Sequence, residues 1–316
     1  MMKLTHITNI IAVAVLLALA GCSGRTESSG PVVSVEPQRV LLQEIVGDCH
    51  TVSTLLSNGA NPESFEPTVR TRMAVDAAPV FFATGLLPFE NSLRQSLSDK
   101  VTVVDCSEGI EKIYGTHGHE HYHGEGEDAD HGAHGDADHG DDHDGHGHAD
   151  LEADPHIWVS VRNARVIARS MLQAMQKLEP ENAGYYAKNF ERLDARLDSL
   201  DKAYSAAFAA LPASQRAFAV WHPSLSYFAR DYGLEQIAVG FENKEKSPRH
   251  IAGVVEQAKA HGVRVLFYQA ETDSRQASTL NDAMGTQMVT LNLMDAGWLD
   301  ALDKVKQAMT ASNTGK

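Results

Sequence analysis

The chain reads as an α/β protein of two similar lobes, each built on a parallel sheet, joined by one long helix. Three observations carry that reading. Short apolar runs of strand length alternate with helical patterns both before residue 105 and after residue 217, the signature of parallel sheets covered on both faces. Between these halves, Phe190, Leu193, Leu197, Leu200, Tyr204, Phe208 and Leu211 recur at three- and four-residue steps, which is one apolar stripe on one helix. At 316 residues the chain is long enough for two domains of ordinary size.

Taken in order, Lys3 precedes an apolar run from Ile10 to Ala20. That run is too short to span a bilayer comfortably and is built like the apolar region of a signal peptide, residues 1–22. It ends in Leu19-Ala20-Gly21-Cys22, which resembles the bacterial lipobox. The resemblance implies cleavage before Cys22, a lipid on its sulfur, and an exported protein anchored to a membrane at the periplasm or cell surface. Residues 23–31 then form a flexible tether.

In the first lobe, residues 32–179, strands are expected at Val32-Val35, Val52-Leu56, Val80-Thr84 and Val101-Asp105. Helices fit Pro37-Gly47, Thr71-Ala77, Phe89-Leu97 and Asn163-Leu178, with Pro37 suited to a first turn. The spine, residues 180–211, starts at Pro180 and stops before Pro212, giving roughly 45 Å of helix. In the second lobe, residues 212–316, the strands are Ala217-Val220, Gln236-Val239, Val263-Tyr268 and Met288-Leu291. The helices are Ser224-Asp231, Pro248-His261 behind the N-cap Ser247, Ser274-Gly285 and Trp298-Met309. Two such lobes on one helix leave a clamshell-like cleft, and ligands in such sheets bind beyond the carboxyl ends of the strands.

The formal charge of −15 is local: thirteen Asp and Glu lie between Thr116 and Pro155, and no Lys or Arg occurs between Lys112 and Arg162. The remainder is near neutral, with no basic stripe to meet phosphates, which excludes nucleic acid as a partner. The same stretch, a loop at 116–150 expected to be disordered, carries ten histidines: His117, His119, His121, His123, His131, His134, His139, His143, His146 and His148. Almost nothing apolar there can enter a core. Imidazoles and carboxylates at this spacing suit divalent transition metals, and the loop is read as an accessory metal-collecting segment. Lipidation would leave Cys49 and Cys106, which an oxidising compartment allows either to pair or to stay as buried thiols.

Several donors fall at loop or strand-end positions: Glu63, Glu66, His156, His222, Glu271, Asp273, Asn292 and Asp295. His50, His250 and His261 read as non-ligands. At this point the chain resembles the zinc/manganese solute-binding proteins of bacterial ABC importers, the ZnuA-like group (cluster A-I). The resemblance rests on Gly-Ala-Asn-Pro…Phe-Glu-Pro-Thr at 59–68, the acidic histidine loop, Asp-Pro-His-Ile-Trp at 154–158, the spine, and His-Pro-Ser-Leu-Ser-Tyr-Phe-Ala-Arg-Asp-Tyr-Gly-Leu at 222–234. It implies two lobes joined by one rigid helix, a metal between them, and delivery to a membrane permease driven by a separate ATPase; the spine helix itself suggests limited lobe movement. His156 and His222 fall on the family's second and third ligand positions.

This chain departs from the family twice. Glu63 stands where a histidine often follows Asn-Pro, and Leu291-Asn292-Leu293-Met294 replaces a Leu-Asp-Pro-Leu aspartate. The expected ligands are therefore Glu63, His156 and His222, with Glu271 as the fourth and Asn292 as its alternative. Zinc is the expected cargo, because the histidine loop accompanies zinc uptake in this family; manganese and iron are the alternatives that carboxylate ligands admit. A metal buffer or adhesin without a permease is the other binding-protein reading. The one His-Glu-x-x-His string, His119-Glu120-His121-Tyr122-His123, falls inside the acidic histidine run, where no helical pattern supports it, so a zinc hydrolase, and with it an enzyme, is not expected. Nothing in the sequence demands more than a monomer.

Overall fold

The computed structural model describes residues 30–56, 60–115, 152–240, 247–269 and 274–311. The signal and lipobox segment with Cys22, the ten-histidine run, Glu271 and Asp273 lie outside the described residues. The order of elements is β1 (Val32–Val33), α1 (Glu36–Val46), β2 (Ser53–Thr54), α2 (Val69–Asp76), β3 (Val80–Ala83), α3 (Pro88–Ser96) and β4 (Thr102–Asp105), followed by α4 (Val161–Leu178) and α5 (Ala183–Ala209). The second half adds β5 (Ala217–Val220), α6 (Ser226–Tyr232), β6 (Glu235–Ala238), α7 (Pro248–Ala260), β7 (Val265–Gln269), α8 (Ser274–Met284), β8 (Gln287–Leu291) and α9 (Trp298–Thr310).

The strands form two four-stranded parallel sheets of the same order, β2-β1-β3-β4 and β6-β5-β7-β8. Every residue of β3 and of β5 is buried, which is why Val-Phe-Phe-Ala and Ala-Phe-Ala-Val read as unbroken apolar runs. Each buried Phe of these strands contributes about 2 kcal/mol of apolar transfer. Register is fixed by pairs such as Phe81↔Val103 and Val220↔Phe267. Helix starts follow the local chemistry. Ser160 Oγ accepts from Asn163 N at 3.0 Å to open α4, and Ser247 Oγ accepts from His250 N at 3.2 Å to open α7. Such caps are each worth about 1 kcal/mol.

The expected spine is present: a 3-10 turn at Pro180–Asn182 leads into the 27 residues of α5, about 40 Å of helix. Its apolar stripe is buried against both halves. Tyr204 and Phe208 pack on Phe228 and Tyr232 of α6, two of the ring pairs edge to face and two tilted, with centroid separations of 5.6–5.8 Å. Its polar face is held by α4, where Arg165 meets Asp194 at 2.7 Å and Asp198 at 3.0 Å, and Arg162 meets Asp201 at 2.9 Å. Asn189 Nδ2 donates to Ile45 O at 3.0 Å and so covers the end of α1.

The lobes are joined by more than the spine. One buried apolar cluster runs from Val33 and Phe81 in the first sheet to Phe218 and Phe267 in the second and Leu302 of α9. Trp158 Nε1 donates to Leu293 O at 3.1 Å, Tyr227 OH donates to Asp154 O at 2.8 Å, Arg230 reaches Glu111 O at 2.7 Å, and Ser160 bonds Asp231. A shared core and these cross-links therefore hold the two halves together in addition to the spine.

Cys49 and Cys106 are not joined. Cys106 is a free, buried thiol. It sits beside Gln38 at the start of α1, and burial together with nearby Glu90 and Asp105 pushes its pKa well up. Cys49 lies in the turn beyond the other end of that 11-residue helix. The two ends are about 16 Å apart, more than twice the reach of a disulfide.

Candidate metal centre

Three loops, each placed by a different feature of the fold, meet in the cleft. Glu63 follows the carboxyl end of β2, where Asn61 Oδ1 accepts from Glu63 N at 2.9 Å in an Asx turn. The same loop is pinned by Phe65, whose ring meets Phe89 of α3 edge to face at 5.0 Å. His222 follows the carboxyl end of β5, and the turn carrying it is closed by Ser224 N donating to His222 O at 2.7 Å. His156 precedes the 3-10 turn Ile157–Val159 that leads into α4.

The three side chains are close enough that they could hold one ion. Glu63 Oε1 lies 3.2 Å from His222 Nε2 and 3.8 Å from His156 Nε2. The two imidazoles meet edge to face at 5.2 Å. One donor atom from each of the three residues falls within 4.8 Å of the other two. Donors about 2.0–2.1 Å from one tetrahedral ion stand roughly 3.3 Å apart, so these side chains need only small shifts to close on a single cation. His156 is 4% exposed, while Glu63 and His222 are half-buried. One carboxylate and two imidazoles are ligands typical of zinc, and the carboxylate widens the set towards manganese and iron.

His156 is oriented by a carboxylate. Asp154, fully buried, accepts on Oδ1 from His156 Nδ1 at 2.8 Å and from His156 N at 2.9 Å. A carboxylate there accepts from Nδ1–H and keeps the proton on that nitrogen, which leaves Nε2 as the lone-pair nitrogen on the Glu63 side. Asp154 is itself held by its own N donating to Ile113 O at 2.8 Å and by Tyr227 OH on its carbonyl. Trp158 stacks edge-on against the His156 ring at 5.3 Å.

Among the described residues this is the only metal-sized group of His, Cys, Asp and Glu. Glu271, the expected fourth ligand, is outside the described residues. Asn292 is half-buried after β8, and its Oδ1 accepts from Met294 N at 3.2 Å. Asp295 accepts from Gly297 N at 2.8 Å, and Glu66 is exposed; neither joins the group. The remaining described histidines are engaged elsewhere, His50 with Glu179 at 2.6 Å, His250 with Val239 O at 2.7 Å and His261 with Glu235 at 2.6 Å. Sequence reasoning missed Asp154, Trp158 and Tyr227 as supports. For Asp154 a signal existed, since a carboxylate two residues before a histidine can reach Nδ1. For Tyr227 none did, because its partner is 73 residues away.

Two parallel-sheet α/β lobes joined by one long helix, with an imidazole–carboxylate cluster between them that could hold a metal ion, have the form of a cleft-type metal-binding protein. Residues 32–311 match the family described as "Zinc-uptake complex component A periplasmic", and the chain belongs to that family. It is 28% identical over 310 residues to the high-affinity zinc uptake system protein ZnuA of Bacillus subtilis, covering 93% of this chain and 90% of that one. It is also 28% identical over 269 residues to the zinc-binding protein AdcA of Streptococcus pyogenes. That match covers 84% of this chain, and the chain spans 50% of the AdcA length. Among solved structures, a crystal structure of ZnuA superposes with a TM-score of 0.74 at 25% identity, covering 91% of this chain and all of that one. A manganese-bound periplasmic metal-binding protein from Candidatus Liberibacter asiaticus shares the fold with a TM-score of 0.69 at 17% identity, covering 89% of this chain and 99% of that one.

Proposed function

We propose that this protein captures a divalent transition metal, Zn²⁺ above others, outside the cytoplasmic membrane and hands it to an ABC-type permease with a separate ATPase. The observation that carries this reading is the convergence of Glu63, His156 and His222 from both lobes onto one ion-sized space. These three are the core ligands, and Glu271 is the fourth. The cation is cargo, held by a carrier rather than used by an enzyme. Cys22 carries the lipid that keeps the carrier at the membrane, and the histidine run supplies cation to the cleft. The carrier acts as a monomer.

Membership in a zinc-uptake family supports import, and the relatives named for zinc support the choice of metal. Among the described residues no helix is long and apolar enough to cross a membrane. The test is growth and zinc uptake in chelated medium for a deletion strain. Both should fail, and both should return with the wild-type gene but not with His156→Ala plus His222→Ala. Normal uptake in the deletion strain would favour a metal buffer.

A further inference from the structure

Gln269 is the last residue of β7, beside Leu291 of β8 in register. It lies far in sequence from the three clustered ligands. Its amide nitrogen donates twice, to His222 O at 3.1 Å and to Ser224 Oγ at 2.6 Å. The first bond fixes the orientation of the amide, because a carbonyl only accepts and the Nε2 end must face it. The other end, Oε1, is buried and accepts no hydrogen bond among the described residues. A buried amide that leaves its acceptor unused sacrifices roughly 1–3 kcal/mol. Every described hydrogen bond of this amide goes to the turn that presents His222.

The opposite side of that turn is held in the same way. Gln236 of β6 accepts from Leu225 N at 2.8 Å and donates to Ser226 Oγ at 3.0 Å. Trp221, the residue before the histidine, is pinned by its N on Phe267 O at 2.9 Å and its O on Gly240 N at 3.1 Å. The His222 turn is thus stitched to both neighbours of β5. Gln269 bonds the backbone carbonyl of the histidine itself.

We propose that Gln269 is the positioning residue for His222, the counterpart in the second lobe of Asp154 for His156. It acts through the backbone of its histidine, whereas Asp154 acts through the ring. Only an amide serves here, since a carboxylate at 269 has no proton to give His222 O. Without this bond the turn keeps its strand contacts, but the ring loses a fixed distance from Glu63 and His156. Metal is then held less tightly and in a less uniform geometry, while the fold stands.

This inference rests on the ligand assignment above, so the experiment separates the two. Full-length processed protein is titrated with Zn²⁺ against a chelator, and with Co²⁺ to record the visible ligand-field spectrum. The variants are Gln269→Met, Ser224→Ala and His222→Ala, each checked for apo thermal stability. Gln269→Met, close in shape but without donors, should weaken Zn²⁺ binding about tenfold or more and broaden or shift the Co²⁺ bands. Ser224→Ala, which spares the bond to His222 O, should do less. Apo stability should change little. Unchanged affinity and spectrum in a folded Gln269→Met protein would overturn the proposal, provided His222→Ala abolishes binding. If His222→Ala binds normally, the ligand assignment itself is wrong.

Discussion

Replacing Asp154 with alanine isolates what a buried carboxylate does for His156, one of the proposed ligands. The side chain is fully buried, and one oxygen accepts from both Nδ1 and the backbone N of His156, at 2.8 and 2.9 Å. Removing it frees the ring to rotate about its side-chain torsions and lets the proton move to Nε2, the atom nearest Glu63. Loss of such a carboxylate partner typically weakens metal binding 10- to 100-fold, or about 1.4–2.7 kcal/mol. A separate cost of about 1–3 kcal/mol falls on the fold, because the His156 N–H is left buried without that acceptor. A competition titration with a zinc chelator reads the first quantity and apo thermal unfolding reads the second. Asp154→Asn keeps a carbonyl acceptor and should fall between the parent and the alanine variant. Affinity within twofold of the parent in folded Asp154→Ala protein would refute the reasoning.

Three further outcomes follow from the same structure. Glu63→His restores a third imidazole at a loop already aimed at the other two, and should raise the preference for zinc over manganese by tenfold or more in a two-metal competition; an unchanged ratio would mean that Glu63 does not ligate. Glu90 is buried and accepts from Thr84 N at 2.6 Å, Gly85 N at 2.7 Å, Leu87 N at 3.2 Å and the Ser34 hydroxyl. Glu90→Gln turns an amide against those donors and should cost about 2–4 kcal/mol in denaturant unfolding, with a variant as stable as the parent counting against this account. In acid, Asp194 and Glu179 both lose stability that they supply at neutral pH. The hydrogen bond from Arg165 holds Asp194 below its ordinary range, while burial raises Glu179 but the bonds from Tyr186 and Asn182, with His50 nearby, outweigh it. Depressed carboxyls stabilise above their unfolded pKa of about 4 and lose that contribution as pH falls through the folded value; Asp194→Asn should therefore flatten the acid limb of a melting-temperature profile, and an identical limb would contradict it.

The fold was legible because its elements are strongly patterned. Unbroken apolar runs marked the central strands β3 and β5, and the stripe from Phe190 to Leu211 marked the spine. Edges were less clear: β1 and β2 are two residues each, since only a short stretch of each meets a neighbour, whereas longer runs had been apolar enough to pass as strands. Glu63, His156 and His222 were readable from a sequence pattern and a resemblance, each sitting in a loop beside prolines and turn formers. Their supports were not. Tyr227 on Asp154, Trp158 on Leu293 and Gln269 on His222 are contacts between segments 47 to 135 residues apart, and nothing local in the chain encodes them. The Cys49–Cys106 pairing was open in the sequence for the same reason, as it turned on which end of α1 each sulfur meets.

The most direct test of a cleft-centred carrier is a metal competition titration on protein lacking residues 1–22 and 116–150, zinc set against manganese and iron, beside Glu63→Ala, His156→Ala and His222→Ala. The account predicts one tight zinc site per chain that survives removal of the histidine run and is lost or greatly weakened in each of the three variants. Metal binding that disappears with the histidine run, and is indifferent to the three cleft residues, would contradict it.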